Sequence, residues 1–143
     1  MTLARLTMLT VIVLVLQAFP SPAAAQSLDF TYYRTHVEPI FLKKRPTHAR
    51  CVACHSTAEN GSALRLQPLS PGSATWTEEQ SRRNFESVVQ LVTPGDPAKS
   101  RLLKHPLAPE AGGDYFHGGG RQFASKDDPE WQTLAEWVRQ AKK

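Results

Sequence analysis

Apolar residues recur at helical spacing in several segments of the chain, and no segment alternates apolar and polar positions as a half-buried strand does. The first pattern predicts a helix from Asp29 to Leu42, with one apolar face formed by Phe30, Tyr33, Val37, Ile40 and Phe41. Asp29 is the predicted N-cap, because aspartate accepts backbone N–H groups at helix starts. The basic run that ends at Pro46 is typical of a helix C-terminus.

Three further helices are predicted. One spans about Glu78 to Leu91; its capping box consists of Thr77 and Gln80, and its apolar stripe of Phe85, Val88, Val89 and Val92. Asp96-Pro97 and Asp128-Pro129 each predict an N-cap followed by proline at the first helical position. They open a short helix that ends at Lys104 and a last helix with Trp131, Leu134, Trp137 and Val138 on one face.

A long Gly-rich segment separates the last two helices. It runs from Pro106 to Asp127 and contains Tyr115, Phe116, His117 and Phe123. A loop of this length in a small domain is usually functional or disordered, and this one is too aromatic for an idle linker. The pattern therefore predicts an all-α domain of three or four helices joined by long loops.

The N-terminal segment reads as a signal peptide. Arg5 precedes an apolar run from Leu6 to Phe19, and Ala23-Ala24-Ala25 predicts cleavage before Gln26. An uncleaved anchor is the alternative, but the run is short for a membrane span, and Pro20 and Pro22 interrupt it. We expect residues 1–25 to be removed, leaving a domain at 26–143 in the periplasm or outside the cell, without stable membrane insertion.

Charge says little about the partner. Without the segment that contains Arg5, 16 of the 17 basic residues and all 13 acidic ones remain, a formal charge of +3. The basic residues are scattered and not interleaved with aromatic ones, so a nucleic-acid partner is not expected.

The chemistry lies in Cys51-Val52-Ala53-Cys54-His55, the C-x-x-C-H pattern of covalent haem attachment. Two thiols three positions apart can form thioethers with the two vinyl groups on one porphyrin edge. The next residue, His55, is then brought under the iron by the same helical turn, as the proximal ligand. The motif predicts one covalently bound haem c.

Three other uses of the cysteines remain open. They are a disulfide between Cys51 and Cys54, a thioredoxin-like redox dithiol, and a zinc site completed by histidines. The dithiol requires a βαβ context that the pattern does not predict, and the zinc site requires four ligands.

The motif and its helices resemble class I-like c-type cytochromes, in which one helix precedes C-x-x-C-H and the last helix packs across it. A closer resemblance is to the small cytochrome c domains common in planctomycetes and acidobacteria. It rests on the haem motif, His36-Val37-Glu38-Pro39-Ile40-Phe41, Gly95-Asp96-Pro97 with Ser100, and Leu134-Ala135-Glu136-Trp137-Val138. The resemblance implies a cytochrome c-like fold around one haem.

The family's usual distal methionine is missing, because the only methionines are Met1 and Met8. His117 is the predicted replacement, since it lies in the loop where the family places methionine and precedes Gly118-Gly119-Gly120, which permits a close backbone approach. His105 is the main alternative, and an open distal site is another. We expect His36 to be half-buried on the first helix. We expect His48 to be exposed, and it is too near His55 in sequence to reach the other face of the haem easily.

Histidine in place of methionine predicts a low-potential, low-spin bis-histidine haem. The expected function is electron transfer to unidentified redox proteins, with no substrate bond made or broken. A five-coordinate haem with ligand-binding or peroxidase-like activity, or a haem subunit of a periplasmic redox complex, is the alternative. Candidate propionate partners are Arg101, Lys104, Trp76 and Arg121.

Overall fold

The computed structural model describes residues 27–46, 48–57 and 61–141. The predicted signal peptide at residues 1–25 lies outside these ranges. None of the helices within them has the length and apolar character of a membrane-spanning segment.

Helices form nearly all the regular structure of the described chain, as the pattern predicts. They are α1 (consecutive segments Phe30–Tyr32, Tyr33–Val37 and Glu38–Leu42), α2 (Cys51–His55), α3 (Glu78–Val89), α4 (Arg101–Lys104) and α5 (Pro129–Arg139). A 3₁₀ turn at Pro109–Ala111 and isolated β-bridges between Arg45 and His48 and between Leu107 and Phe123 complete it. The described part has more helices than the three or four predicted, because the C-x-x-C-H segment forms a helix of its own.

Helix α1 has the predicted N-cap and the predicted buried face. The Asp29 carboxylate accepts the Tyr32 N–H at 2.9 Å, and Tyr33 and Val37 are fully buried. Its middle segment, Tyr33–Val37, is π-helical, and the Glu38 N–H bonds to the Tyr33 carbonyl five residues earlier. Pro39 explains this local widening, since proline supplies no N–H and crowds the carbonyl four residues before it.

Helix α3 begins at the predicted capping box. The Thr77 hydroxyl accepts the Gln80 N–H at 3.2 Å, while the Gln80 side chain accepts the Thr77 N–H at 3.0 Å. The helix ends at Val89, two residues before the predicted end. The N–H of Leu91 bonds to the Val88 carbonyl three residues earlier, which tightens the last turn before the chain turns away.

The helix predicted from Asp96 to Lys104 is wrong in its first half. Asp96 does accept the Lys99 N–H at 3.1 Å, but residues 97–99 form a turn, and α4 begins only at Arg101. The buried Ser100 hydroxyl accepts the Thr93 N–H and donates to the Asp96 carbonyl. Side-chain bonds of this kind offer the backbone an alternative to helix.

Helix α5 starts at the predicted Asp128 cap and packs across the other helices. Its apolar face is buried, and it contacts the π-helical segment of α1 and helix α4. The Trp137 indole donates to the Asp29 carbonyl at 2.9 Å, and the Trp131 indole donates to the Leu103 carbonyl at 3.3 Å. The tryptophans therefore belong to the core and join both ends of the fold.

The segment between α4 and α5 is more ordered than the predicted loop. Its two ends pair, since Ala108 donates to the Phe123 carbonyl at 2.9 Å and Phe123 donates to the Pro106 carbonyl at 3.2 Å. At Gly113 an added Cβ would lie 1.8 Å from the Leu107 carbonyl oxygen, so only glycine fits this close approach. Between the paired ends, residues 112–122 form a loop, here called the His117 loop.

A buried carboxyl lies between α1 and α3. Glu38 is 6 % exposed, and one of its oxygens accepts the Ser81 hydroxyl at 2.9 Å. The other oxygen, the Tyr33 hydroxyl and the Asn84 amide nitrogen have no hydrogen-bond partner among the described residues. Burial raises the pKa of Glu38 above its usual 4.5, although the Ser81 hydrogen bond and the charge of Arg34 oppose this.

Replacing this carboxyl by an amide should stabilise the protein at neutral pH. The contribution of Glu38 to the free energy of unfolding should be highest below about pH 4.5 and fall as pH rises through the raised pKa of this group, because ionisation then opposes folding. Glu38→Gln lacks this slope, and we expect it to exceed the wild type by about 1 kcal/mol at pH 7.

Urea denaturation between pH 4 and pH 8 measures the effect. Glu86→Gln, at an exposed position of α3, is the matched control and should follow the wild-type curve. Parallel pH curves for Glu38→Gln and the wild type would contradict the prediction.

Candidate functional site

A cleft opens between α2 and the His117 loop, which follows α4. It consists of two adjoining cavities, an inner one of about 60 Å³ and an outer one of about 430 Å³. Both are lined by His55, Ser62, Ala63, Arg101, His105 and His117. Cys51 lines the inner cavity and Cys54 the outer one, so the predicted site residues all lie along the same cleft.

His55 is fixed by residues 62–64, which follow α2 in the chain. Its Nδ1 lies 3.2 Å from the Leu64 carbonyl oxygen and 2.8 Å from the Ser62 hydroxyl. A carbonyl only accepts, so the neutral ring carries its proton on Nδ1, and Nε2 keeps the lone pair. Burial lowers the pKa of His55, which favours the neutral, metal-binding form.

His117 is held in the same way. Its Nδ1 lies 2.5 Å from the Gly120 carbonyl oxygen, so Nε2 again keeps the lone pair. Burial also lowers the pKa of His117. Gly120 has φ +84°, and an added Cβ would lie 2.6 Å from the ring of His48. This backbone conformation, which favours glycine, presents the carbonyl to His117.

The two imidazoles form a pair across the cleft. Their ring centres are 6.3 Å apart and their planes differ by 17°. Metal-bound histidines commonly donate the second ring N–H to a carbonyl or carboxylate, which fixes the tautomer and the ring orientation. Both rings have this arrangement.

The two thiols do not have the features of a redox dithiol. The structure places no disulfide between Cys51 and Cys54. Burial raises the pKa of Cys51 to about 11, whereas reactive cysteines of dithiol enzymes have lowered values. The pair also lies on a short helix, and the described residues contain no βαβ unit of the kind that surrounds thioredoxin-like sites.

The zinc interpretation has no support in the described residues. No group of three or more His, Cys, Asp or Glu side chains among them is placed to hold a metal ion. A porphyrin iron differs, since four ring nitrogens belong to the cofactor and only two axial positions need protein ligands.

The other histidines have different surroundings. His105 lines both cavities, but its Nδ1 bonds to Asp114 at 2.9 Å, and its ring lies edge-on to His117. His36 is exposed, not half-buried as predicted, and its ring contacts Tyr32. His48 was expected to be exposed but is partly buried, because the Gly120 turn packs on its ring.

Of the four candidate anion partners, only Arg101 lines the cleft. It makes no ion pair within the described residues and is exposed. Lys104 pairs with Asp114 and Arg121 with Glu110. Trp76 is buried and donates its indole N–H to the Gln67 carbonyl. No carboxylate among the described residues lines either cavity, so Arg101 is the one arginine or lysine there without an acidic neighbour in the lining.

Sequence reasoning missed the groups that orient the two imidazoles. Three of them are Ser62 and the backbone carbonyls of Leu64 and Gly120. A carbonyl is present at every residue and has no sequence signal. The glycine run was the one available indication, and it marks the turn that supplies the Gly120 carbonyl.

No protein-family model matches this chain, and no curated protein or solved structure is significantly similar to it.

Two of the three glycines that follow His117, Gly118 and Gly120, should differ in their tolerance of a side chain. Gly120→Ala places a Cβ against His48 in a left-handed conformation, and we expect it to lower the free energy of unfolding by about 1–2 kcal/mol. Gly118→Ala meets no described atom within 4 Å and should leave stability unchanged or slightly higher. Urea denaturation of both variants measures this, and equal losses would contradict the assigned turn geometry.

Proposed function

We propose that the protein is an exported monohaem c-type cytochrome that transfers electrons. Cys51 and Cys54 would hold the haem covalently, and His55 and His117 would be its axial ligands. The proposal rests on one observation above all: the imidazoles of His55 and His117 lie 6.3 Å apart in the cleft that Cys51 and Cys54 also line.

The spacing of the two rings fits one metal ion between them. Metal–imidazole bonds of about 2 Å, with each ring centre about 1.1 Å behind its nitrogen, place the centres roughly 6.2 Å apart when both nitrogens point at one metal ion from opposite sides. The observed separation is 6.3 Å. Both Nδ1 atoms are bonded to backbone carbonyls, which leaves the Nε2 atoms as the available ligands.

The cleft also fits the rest of the cofactor. Apolar side chains such as Leu64, Leu102 and Phe123 line the inner cavity, and the outer cavity is open, with Arg101 on its wall. An apolar interior with a cation at the rim suits a macrocycle that carries carboxylates on one edge.

Haem supplies reversible one-electron redox chemistry when it is bound. The protein's residues would bind, orient and shield it. Ser62 and Leu64 orient His55, the Gly120 carbonyl orients His117, and the apolar wall limits water access. Two imidazole ligands favour a lower potential than one imidazole with methionine.

The ligand assignment predicts a low-spin spectrum that depends on His117. Holoprotein produced in a host that attaches haem c should retain haem after denaturation and show a six-coordinate, low-spin ferric spectrum. We expect His117→Ala to be high-spin and to bind carbon monoxide in the ferrous state, because one axial position opens. His36→Ala, at the exposed histidine of α1, is the control.

Absorption spectra and mass measurement check these outcomes. Chain without covalent haem after such production would overturn the proposed function. A low-spin spectrum that persists in His117→Ala would overturn the distal assignment, and a high-spin wild type would favour the five-coordinate alternative.

A second consequence concerns Arg101. A cation near haem carboxylates favours the ferrous state, so Arg101→Ala should lower the reduction potential. An exposed charge contributes roughly 0.5–1 kcal/mol, equivalent to roughly 20–45 mV for a one-electron couple. Arg121→Ala, which removes a cation already paired with Glu110, is the control. Potentiometric titration measures both, and equal shifts would contradict a specific role for Arg101.

A further inference from the structure

We propose that His105, held by Asp114, is a positioning residue that fixes the plane of the His117 imidazole parallel to that of His55. The inference rests on the proposed function, and it assigns a role to a histidine that the axial pair does not use. His105 acts through ring contact and does not bind the iron.

The contact between the two rings is direct and specific in direction. The ring centres of His105 and His117 are 4.9 Å apart, with an angle of 82° between the planes. In this edge-to-face arrangement, the His105 ring blocks rotation of the His117 ring about its Cβ–Cγ bond. The Gly120 carbonyl fixes one edge of His117, at Nδ1, but a single hydrogen bond still permits the ring to swing.

His105 is itself firmly placed. Its backbone N–H donates to the Arg101 carbonyl at 2.9 Å. His105 directly follows α4, whose Leu103 is fully buried. Its Nδ1 bonds to Asp114 at 2.9 Å, and the Asp114 N–H bonds back to the Lys104 carbonyl at 3.2 Å. The imidazole of His105 is therefore fixed at both its backbone and its ring.

The chain around His117 offers little other restraint. The two preceding side chains, Tyr115 and Phe116, are 91 % and 74 % exposed, so they do not anchor the turn in the core. On the other side, an added Cβ at Gly119 would lie 3.2 Å from the His117 ring, so the turn backbone approaches the ring closely there. The orientation of the ring thus depends strongly on His105.

Ring orientation is measurable because it shapes the ligand field of the iron. In low-spin ferric haem, parallel axial imidazoles give a rhombic EPR spectrum, whereas perpendicular ones give a strongly anisotropic spectrum with a larger maximum g value. The 17° angle between His55 and His117 predicts the rhombic type. Groups that contact a ligand are known to tune metal sites in this way.

The experiment compares frozen-solution EPR spectra of ferric holoproteins. We expect a rhombic spectrum for the wild type and a shift to a larger maximum g value, or loss of the resolved rhombic lines, for His105→Ala. His105→Phe keeps an aromatic edge but cannot bond to Asp114, so its shift should be smaller than that of His105→Ala. His36→Ala is the control. If His105→Ala retains no haem, Asp114→Ala should produce the same shift, since it releases His105.

An unchanged spectrum in His105→Ala, or in Asp114→Ala where that variant replaces it, would overturn the positioning role. So would a high-spin His105→Ala, because His105 would then be an iron ligand itself, and so would a shift of equal size in His36→Ala. These results differ from failure of the proposed function, which would appear as a wild type without covalent haem.

Discussion

The packing of α5 across α1 and α4 is the constraint on which the rest of the structure depends. The indole of Trp137 reaches the start of α1, and that of Trp131 reaches the end of α4. The second half of α1 contacts α2, which carries His55. Helix α4 leads directly to His105 and then to the His117 loop. The separation of the two imidazoles therefore depends on two helices that one terminal helix holds together.

The site uses the same solution on both sides of the cleft. The Nδ1–H of each imidazole donates a hydrogen bond to a backbone carbonyl. The carbonyl belongs to Leu64 for His55 and to Gly120 for His117. Backbone carbonyls move only when the chain moves, so they orient a ring more rigidly than a flexible side chain does. Burial also lowers the pKa of both rings, which favours their neutral form. A metal centre would find its ligands already arranged.

The polar groups buried between α1 and α3 have a different character. Glu38, Tyr33 and Asn84 each have a buried atom without a partner among the described residues, and Pro39 widens the helix beside them. These features lie in the scaffold and destabilise it locally, while α5 and the apolar face of α1 supply the compensating burial. The three residues with unpartnered atoms are not among those that line the cleft.

The sequence by itself determined the helical class and the caps at Asp29, Thr77 and Asp128, because each depends on residues close together in the chain. It did not determine the end of α3 or the start of α4, where side-chain and backbone bonds such as those of Ser100 replace helical ones. Nor did it place His36 and His48 correctly, since their burial depends on distant neighbours. Only the tertiary structure decided that the His117 ring lies near that of His55 and that the His105 ring lies edge-on to it. That arrangement depends on long-range packing, which local patterns do not encode.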